Sequence, residues 1–316
     1  MKMKQVLSLL LCLVTIVSLG ATAFAEDAGA LSAAEEPLED ISFFPPAESA
    51  AAEAANVTTY DVTGIQKVVT AGTNITSYYG FPIANASGTT ISGQTVTKCT
   101  SSDTSIATAS IKNGECWVTP KKAGFFNLTV SNSTYATIWH VVVQFKDVTS
   151  PNDAFYYPVY WALNYGITTG KTNTTFEPYT NCTRAQIVTF LYRTVGSPNV
   201  PASWSNPFSD VKTSDYFYKP VLWAYYNGIT TGRTATKFDP NASCTRGQAV
   251  TFLWRAAGSP SATASSSFSD VKGDEFFAPA VAWAVSQGIT VGTTSTTFSP
   301  YRTCTRGQIV TFLYRW

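Results

Sequence analysis

The chain has 316 residues, 21 basic and 20 acidic side chains, 45% apolar residues and one histidine, His140. That length suits two ordinary domains with extras, and a single histidine excludes most nucleophilic triads and nearly all histidine-based metal sites. The balanced charge hides an uneven distribution: residues 26–55 hold eight acids and no base, so setting those and Lys2 and Lys4 aside leaves residues 56–316 with 19 bases against 12 acids.

Residues 1–25 read as a secretory signal peptide. Lys2 and Lys4 form the basic start, Val6 to Leu19 the apolar run, and Ala23-Phe24-Ala25 the cleavage site. The run is too short for a membrane helix and lacks the right flanks. Leu11 before Cys12 is too large for a lipid-attachment signal. No second apolar stretch of spanning length follows, so the expectation is an exported protein without its own membrane anchor. A mildly basic exported body suits an anionic wall polymer better than nucleic acid.

Residues 26–55, rich in Ala, Glu and Pro with Pro45-Pro46 inside, read as a disordered acidic linker. Residues 56–144 change character. Short alternating runs such as Gln66 to Val69 and Asn127 to Val130 are punctuated by Ser87-Gly88, Asn113-Gly114 and Ala123-Gly124. Asn-Gly between such runs is a hairpin signal, and strands at this spacing predict a β-sandwich. His140, within Trp139 to Val143, reads as a half-buried strand residue. Cys99 and Cys116 flank the central strands, and export permits a disulfide between them.

The remainder is an internal repeat with a period of about 60 residues. Each copy opens with Phe-x-Asp-Val, around Asp147, Asp210 and Asp270. Trp-Ala follows at Trp161, Trp223 and Trp283. Gly-Ile-Thr-x-Gly then ends at Gly170, Gly232 and Gly292. Phe-x-Pro starts at Phe176, Phe238 and Phe298. Cys-Thr-Arg-x-Gln carries Arg184, Arg246 and Arg306, with Val-Thr-Phe-Leu-x-Arg soon after. The copies span 145–200, 201–262 and 263–316.

Each copy predicts two helices and a loop. Pro158, Pro220 and Pro279 fall early in the first helix, where proline is tolerated, and Gly166 is placed to end it. The second helix starts with a capping box: Thr183 with Gln186, Thr245 with Gln248, Thr305 with Gln308. One such pair cannot bury its own apolar face, so three copies are expected to share one core about a pseudo-threefold axis. The three tryptophans belong either to that core or to a ligand surface. Cys182, Cys244 and Cys304, just before the caps, read as buried thiols acting as small hydrophobes; a three-thiolate metal site is the sharper alternative.

Taken in order, these motifs resemble the S-layer homology repeat over residues 145–316. Residues 102–130, with Asn113-Gly114 and Pro120 to Gly124, resemble the bacterial immunoglobulin-like group 2 domain. Together these imply an immunoglobulin-like β-sandwich followed by a mainly α, three-repeat S-layer homology unit. The resemblance implies a non-catalytic protein, without cofactor or metal, at the cell surface or in the S layer. Its partner would be a secondary cell-wall polysaccharide, often pyruvylated, or a peptidoglycan-linked glycan. The implied ligand residues are Arg184, Arg246 and Arg306, each a fork of donors beside free helix N–H groups. Asp147, Asp210, Asp270, Gly170, Gly232 and Gly292 accompany them. The bland alternative pairs each arginine with its own repeat's aspartate. Two departures stand out. Gln replaces the family's Glu in the Thr-Arg-x-Glu motif, and Ala154, Tyr216 and Phe276 stand where many members have Trp. Tyr216 and Phe276 remain able to stack on a sugar face, whereas Ala154 weakens the first groove. The rival readings are an adhesin acting through the β-domain, and a wall hydrolase, which would need paired carboxylates in a cleft.

Overall fold

The computed structural model describes residues 57–70, 80–262 and 267–316. The expected signal peptide and the whole acidic linker lie outside these residues. Among the described residues the chain forms six strands, then six helices. It divides into two compact units. One holds Cys182–Cys304, and the other holds the described part of Ala33–Asn181 with Thr305–Arg315.

In the second unit, a four-stranded sheet has the order β1-β6-β5-β2: Thr58–Thr70, Tyr135–Gln144, Gly124–Ser131 and Lys98–Ser101. Strands β3, Ala107–Lys112, and β4, Glu115–Pro120, form a second sheet. Asn113 and Gly114 join β3 to β4 with φ of 53° and 76°. Two left-handed residues match the strand twist, which is why Asn-Gly closes this hairpin. Along β5, Gly124, Phe126, Leu128 and Val130 are buried in alternation. Phe126, Leu128 and Val130 join Cys116 and Val118 of β4 and Trp139, Val141 and Val143 of β6 in one apolar cluster drawn from both sheets. The parallel pairing of β1 with β6 has no sequence signal, because turn residues mark only strands that follow each other.

Strand β6 is buried along both faces. On the face away from the cluster, His140 is 7% exposed, more buried than expected for a half-buried position. Its Nδ1 lies 2.8 Å from Asn127 Oδ1 and its Nε2 2.8 Å from Asp61 Oδ1, which ties β6 to both neighbours. Helix α1, Tyr156–Asn164, covers the end of this face. Gln144 Nε2 donates to the Tyr156 hydroxyl at 2.6 Å, and Phe125 meets Tyr160 edge-on at 6.4 Å.

The helices follow the repeat. After α1 come α2, Arg184–Thr194, α3, Tyr218–Tyr226, α4, Arg246–Ala256, α5, Ala278–Ser286, and α6, Arg306–Arg315. Each first helix ends as the glycines predict. In α1, Gly166 has φ 66°, its N–H goes to Leu163 O, and Ile167 N–H goes to Ala162 O. That pattern satisfies the last carbonyls. Helix packing, however, crosses the repeat boundaries: α2 packs with α3 and α4 with α5 in one unit, and α1 with α6 in the other. Each repeat's second helix thus covers the first helix of another copy, which is why a single copy lacks a core of its own.

Candidate functional site

The second helices begin as the capping boxes require. Thr183 Oγ1 accepts from Gln186 N–H, and Gln186 Oε1 accepts from Thr183 N–H. Thr245 with Gln248 and Thr305 with Gln308 repeat both bonds. The next two helical N–H groups are also taken, by another repeat's loop. Arg184 N–H goes to Ala242 O and Ala185 N–H to Pro240 O. Arg246 and Gly247 reach Arg302 O and Pro300 O, and Arg306 and Gly307 reach Thr180 O and Pro178 O. This corrects one expectation: the helix N-termini offer no free N–H groups to an anion, because neighbouring carbonyls fill them.

The motif arginines sit in the same joint. Arg184, Arg246 and Arg306 are only 4%, 3% and 2% exposed. Each Nε donates at 2.9 Å to a Phe-x-Pro carbonyl, of Phe238, Phe298 and Phe176 respectively. The guanidinium carbons lie 4.6–4.8 Å from those phenylalanine rings, within cation–π range. Burial pulls the Arg184 and Arg246 pKa values down. Nearby acids oppose the shift, with Asp210 and Asp239 acting on Arg184 and Asp270 on Arg246.

The aspartates hold the same loop from its other side. Asp210 accepts the N–H groups of Phe238 and Asp239 at 3.0 and 2.9 Å. Asp147 does so for Phe176 and Glu177, and Asp270 for Phe298 and Ser299. The middle residues Glu177, Asp239 and Ser299 are left-handed, with φ of 59°, 61° and 57°, a strained conformation for non-glycine residues that the carboxylate bonds sustain. The alternative pairing of each arginine with its own repeat's aspartate gives way to a shared grip on one loop. In the first case the aspartate is Asp210, from the repeat after Arg184. The glycines belong to this frame as well. At Gly232, with φ 85°, a Cβ would lie 2.5 Å from Phe208 and 2.8 Å from the Lys237 carbonyl. Gly170 and Gly292 are packed in the same way against Phe145 and Phe268.

The open surface lies one helical turn further on. A groove of about 310 Å³ runs between α2 and the start of α3. Helix α2 contributes Thr189, Tyr192 and Arg193, and the facing segment contributes Thr213, Asp215, Tyr216, Tyr218 and Lys219. Burial lowers the Arg193 pKa and the Tyr216 hydroxyl opposes the shift; the group stays cationic at neutral pH. Tyr216 is 62% exposed. Tyr192 meets Trp223 edge-on at 5.6 Å and donates its hydroxyl to Pro198 O, so its ring is held in place. Asp215 accepts Lys212 N–H at 2.7 Å. Aromatic faces, two cations and one carboxylate at a groove of this size suit a polar, anionic sugar.

The third copy is lined differently. Phe276, 56% exposed, takes the place of Tyr216, and Pro279 that of Lys219. Glu275 accepts the Tyr301 hydroxyl at 2.7 Å, whereas Asn241 stands where Tyr301 would be in the second copy. In the first copy Tyr179 donates to Asp153 at 3.1 Å in the same way. Trp223 and Trp283 are buried, at 7% and 5% exposure, while Trp161 is half-buried and meets Tyr314 at 5.6 Å. Cys182, Cys244 and Cys304 are fully buried. Their backbones close a triangle of 2.8 Å hydrogen bonds: Cys182 N–H to Cys304 O, Cys304 N–H to Cys244 O, and Cys244 N–H to Cys182 O.

Comparison with known proteins agrees with this architecture. The S-layer homology domain is matched at residues 144–188, 207–250 and 267–310. Residues 144–310 carry three S-layer homology domains. An endoglucanase of Bacillus sp. (strain KSM-635) is 39% identical over 90 residues, 28% of this chain and 9% of that protein. A cell surface protein of Thermoanaerobacter kivui is 34% identical over 101 residues, 31% of this chain and 13% of its own length. The surface-layer 125 kDa protein of Lysinibacillus sphaericus is 30% identical over 91 residues, 29% of this chain and 8% of its own length. The chain thus spans a small part of each relative. S-layer homology domains are non-catalytic, bind cell-wall glycans and anchor proteins to the cell surface, which is where this protein resides.

Sequence reasoning missed Arg193, Lys219 and Asp215. A signal was present: Arg193 recurs as Arg255 and Arg315 at the end of each second helix, and Lys219 is specific to one copy.

Proposed function

We propose that the protein is a non-catalytic surface component held by an anionic secondary cell-wall polysaccharide, of the pyruvylated amino-sugar type, in the groove between α2 and α3. The groove itself carries the reading: Arg193 and Lys219 flank aromatic faces at an opening of about 310 Å³. The two cations supply charge-assisted hydrogen bonds to a carboxylate on the sugar, each contributing about 1.5–3 kcal/mol. Tyr216 offers its exposed ring to an apolar sugar face, and Phe276 offers the same in the third copy. Arg184, Arg246, Arg306, the three aspartates and the three glycines act as positioning residues that fix the loops beside the grooves. Weak sites on one polymer add through avidity. The β-region, with two sheets sharing one core, is read as an immunoglobulin-like spacer or display module.

The test is co-sedimentation of the protein with purified Gram-positive walls, before and after chemical removal of their secondary polymers. Binding that disappears with the polymer is expected. Binding that persists would redirect the reading to the peptidoglycan-linked glycan, and turnover of wall material would overturn the non-catalytic reading.

A further inference from the structure

We propose that Cys99 and Cys116 form a disulfide that staples the two sheets of the β-region together. Cys99 lies on β2 and pairs across the strands with Val130 of β5. Directly opposed residues of an antiparallel pair share a face, and Val130 is fully buried in the apolar cluster. Cys99 therefore points inward, and it packs against that cluster while staying partly exposed. Cys116 lies on β4, in the other sheet, and is fully buried in the same cluster. The two thiols are near enough that Cys99 acts on the Cys116 thiol and favours its protonated form.

The chemistry has a definite order. Burial, with the Cys99 thiol adding to it, pushes the Cys116 thiol far above its usual range. Cys99, the partly exposed member, reacts first. Its thiolate attacks one sulfur of an external disulfide-bearing oxidant, forming a mixed disulfide and releasing one thiolate. That thiolate takes the Cys116 proton, and the Cys116 sulfur attacks Cys99 Sγ, expelling the second thiolate, which takes up the Cys99 proton from solvent. Two protein thiols are oxidised and one disulfide is reduced to two thiols. A cell-surface location supplies the oxidising compartment in which such bonds persist. Cys182, Cys244 and Cys304 are excluded from this route because each is fully buried and out of reach of an external oxidant.

The test uses the full-length mature chain equilibrated with oxidised glutathione, then denatured and alkylated without reductant. Three alkylated cysteines are expected, rising to five after reduction. Trypsin should release residues 99–112 joined to residues 113–121. Reductant should lower the melting midpoint of the wild type by roughly 6–12 °C and leave Cys99→Ser unchanged. Five alkylated cysteines after oxidation, or a bond that includes Cys182, Cys244 or Cys304, would overturn the proposal.

Discussion

The α2–α3 and α4–α5 pairs share one frame and differ in their lining. Arg184 and Arg246 grip equivalent carbonyls at the same 2.9 Å, and Asp210 and Asp270 hold equivalent N–H groups. Beyond that joint, Lys219 and Tyr216 face Arg193 in the first pair, whereas Pro279 and Phe276 occupy those places in the second. The buried repeated residues therefore build the frame, and the residues that differ between copies, Lys219 and Tyr216 against Pro279 and Phe276, change the lining of the open groove. A charged residue that recurs three times is not thereby a ligand residue; its burial decides.

The sharpest way to break this division is at the frame. Arg184→Ala orphans the Phe238 carbonyl and empties the space between two rings, so stability should fall by about 3–5 kcal/mol, read by denaturant unfolding. An unchanged midpoint would show the arginine is not structural. Gly232→Ala comes next. It drives a Cβ against Phe208 and a backbone carbonyl at a left-handed position, and should cost about 2–3 kcal/mol in the same assay. Thr245→Ala removes one capping oxygen and should cost about 1 kcal/mol, with wall binding retained.

The smallest expected effect is one of pH. Burial pushes the Asp210 carboxyl up, but its bonds from Phe238 and Asp239 together pull it below the usual value. A carboxyl with a depressed folded pKa stabilises fully above the unfolded value, about 4, and its contribution is lost as pH falls through the folded value. Asp210→Asn should therefore melt lower than wild type at pH 7, and the gap should narrow as pH falls below the unfolded value and close once pH is below the folded one. A gap that persists in acid would assign the loss to shape rather than charge.

Much of the frame was legible because its signals are local. Thr183 with Gln186 specifies a cap within four residues, Gly166 ends a helix by its own φ, and Asn113-Gly114 closes a hairpin without distant help. The burial of Arg184 was not legible. Its acceptor, the Phe238 carbonyl, lies 54 residues away, and nothing near Arg184 in sequence announces it. For the same reason the helix N-termini read as open anion seats, although loop carbonyls of other copies fill them. The groove stayed hidden because its two sides, the Val-Thr-Phe-Leu-x-Arg run of one copy and the segment around Tyr216 of the next, are brought together only by packing between copies.

The most direct test of the division between frame and groove is wall binding by Arg193→Ala beside Arg255→Ala, its equivalent in the next copy. Arg255 donates to Ile229 O at 3.2 Å and lines no part of the α2–α3 groove. A fall in affinity of roughly ten- to a hundredfold for Arg193→Ala alone, with Arg255→Ala binding like wild type, is the expected result. Equal losses in both variants, or none in either, would contradict a binding site centred on the α2–α3 groove.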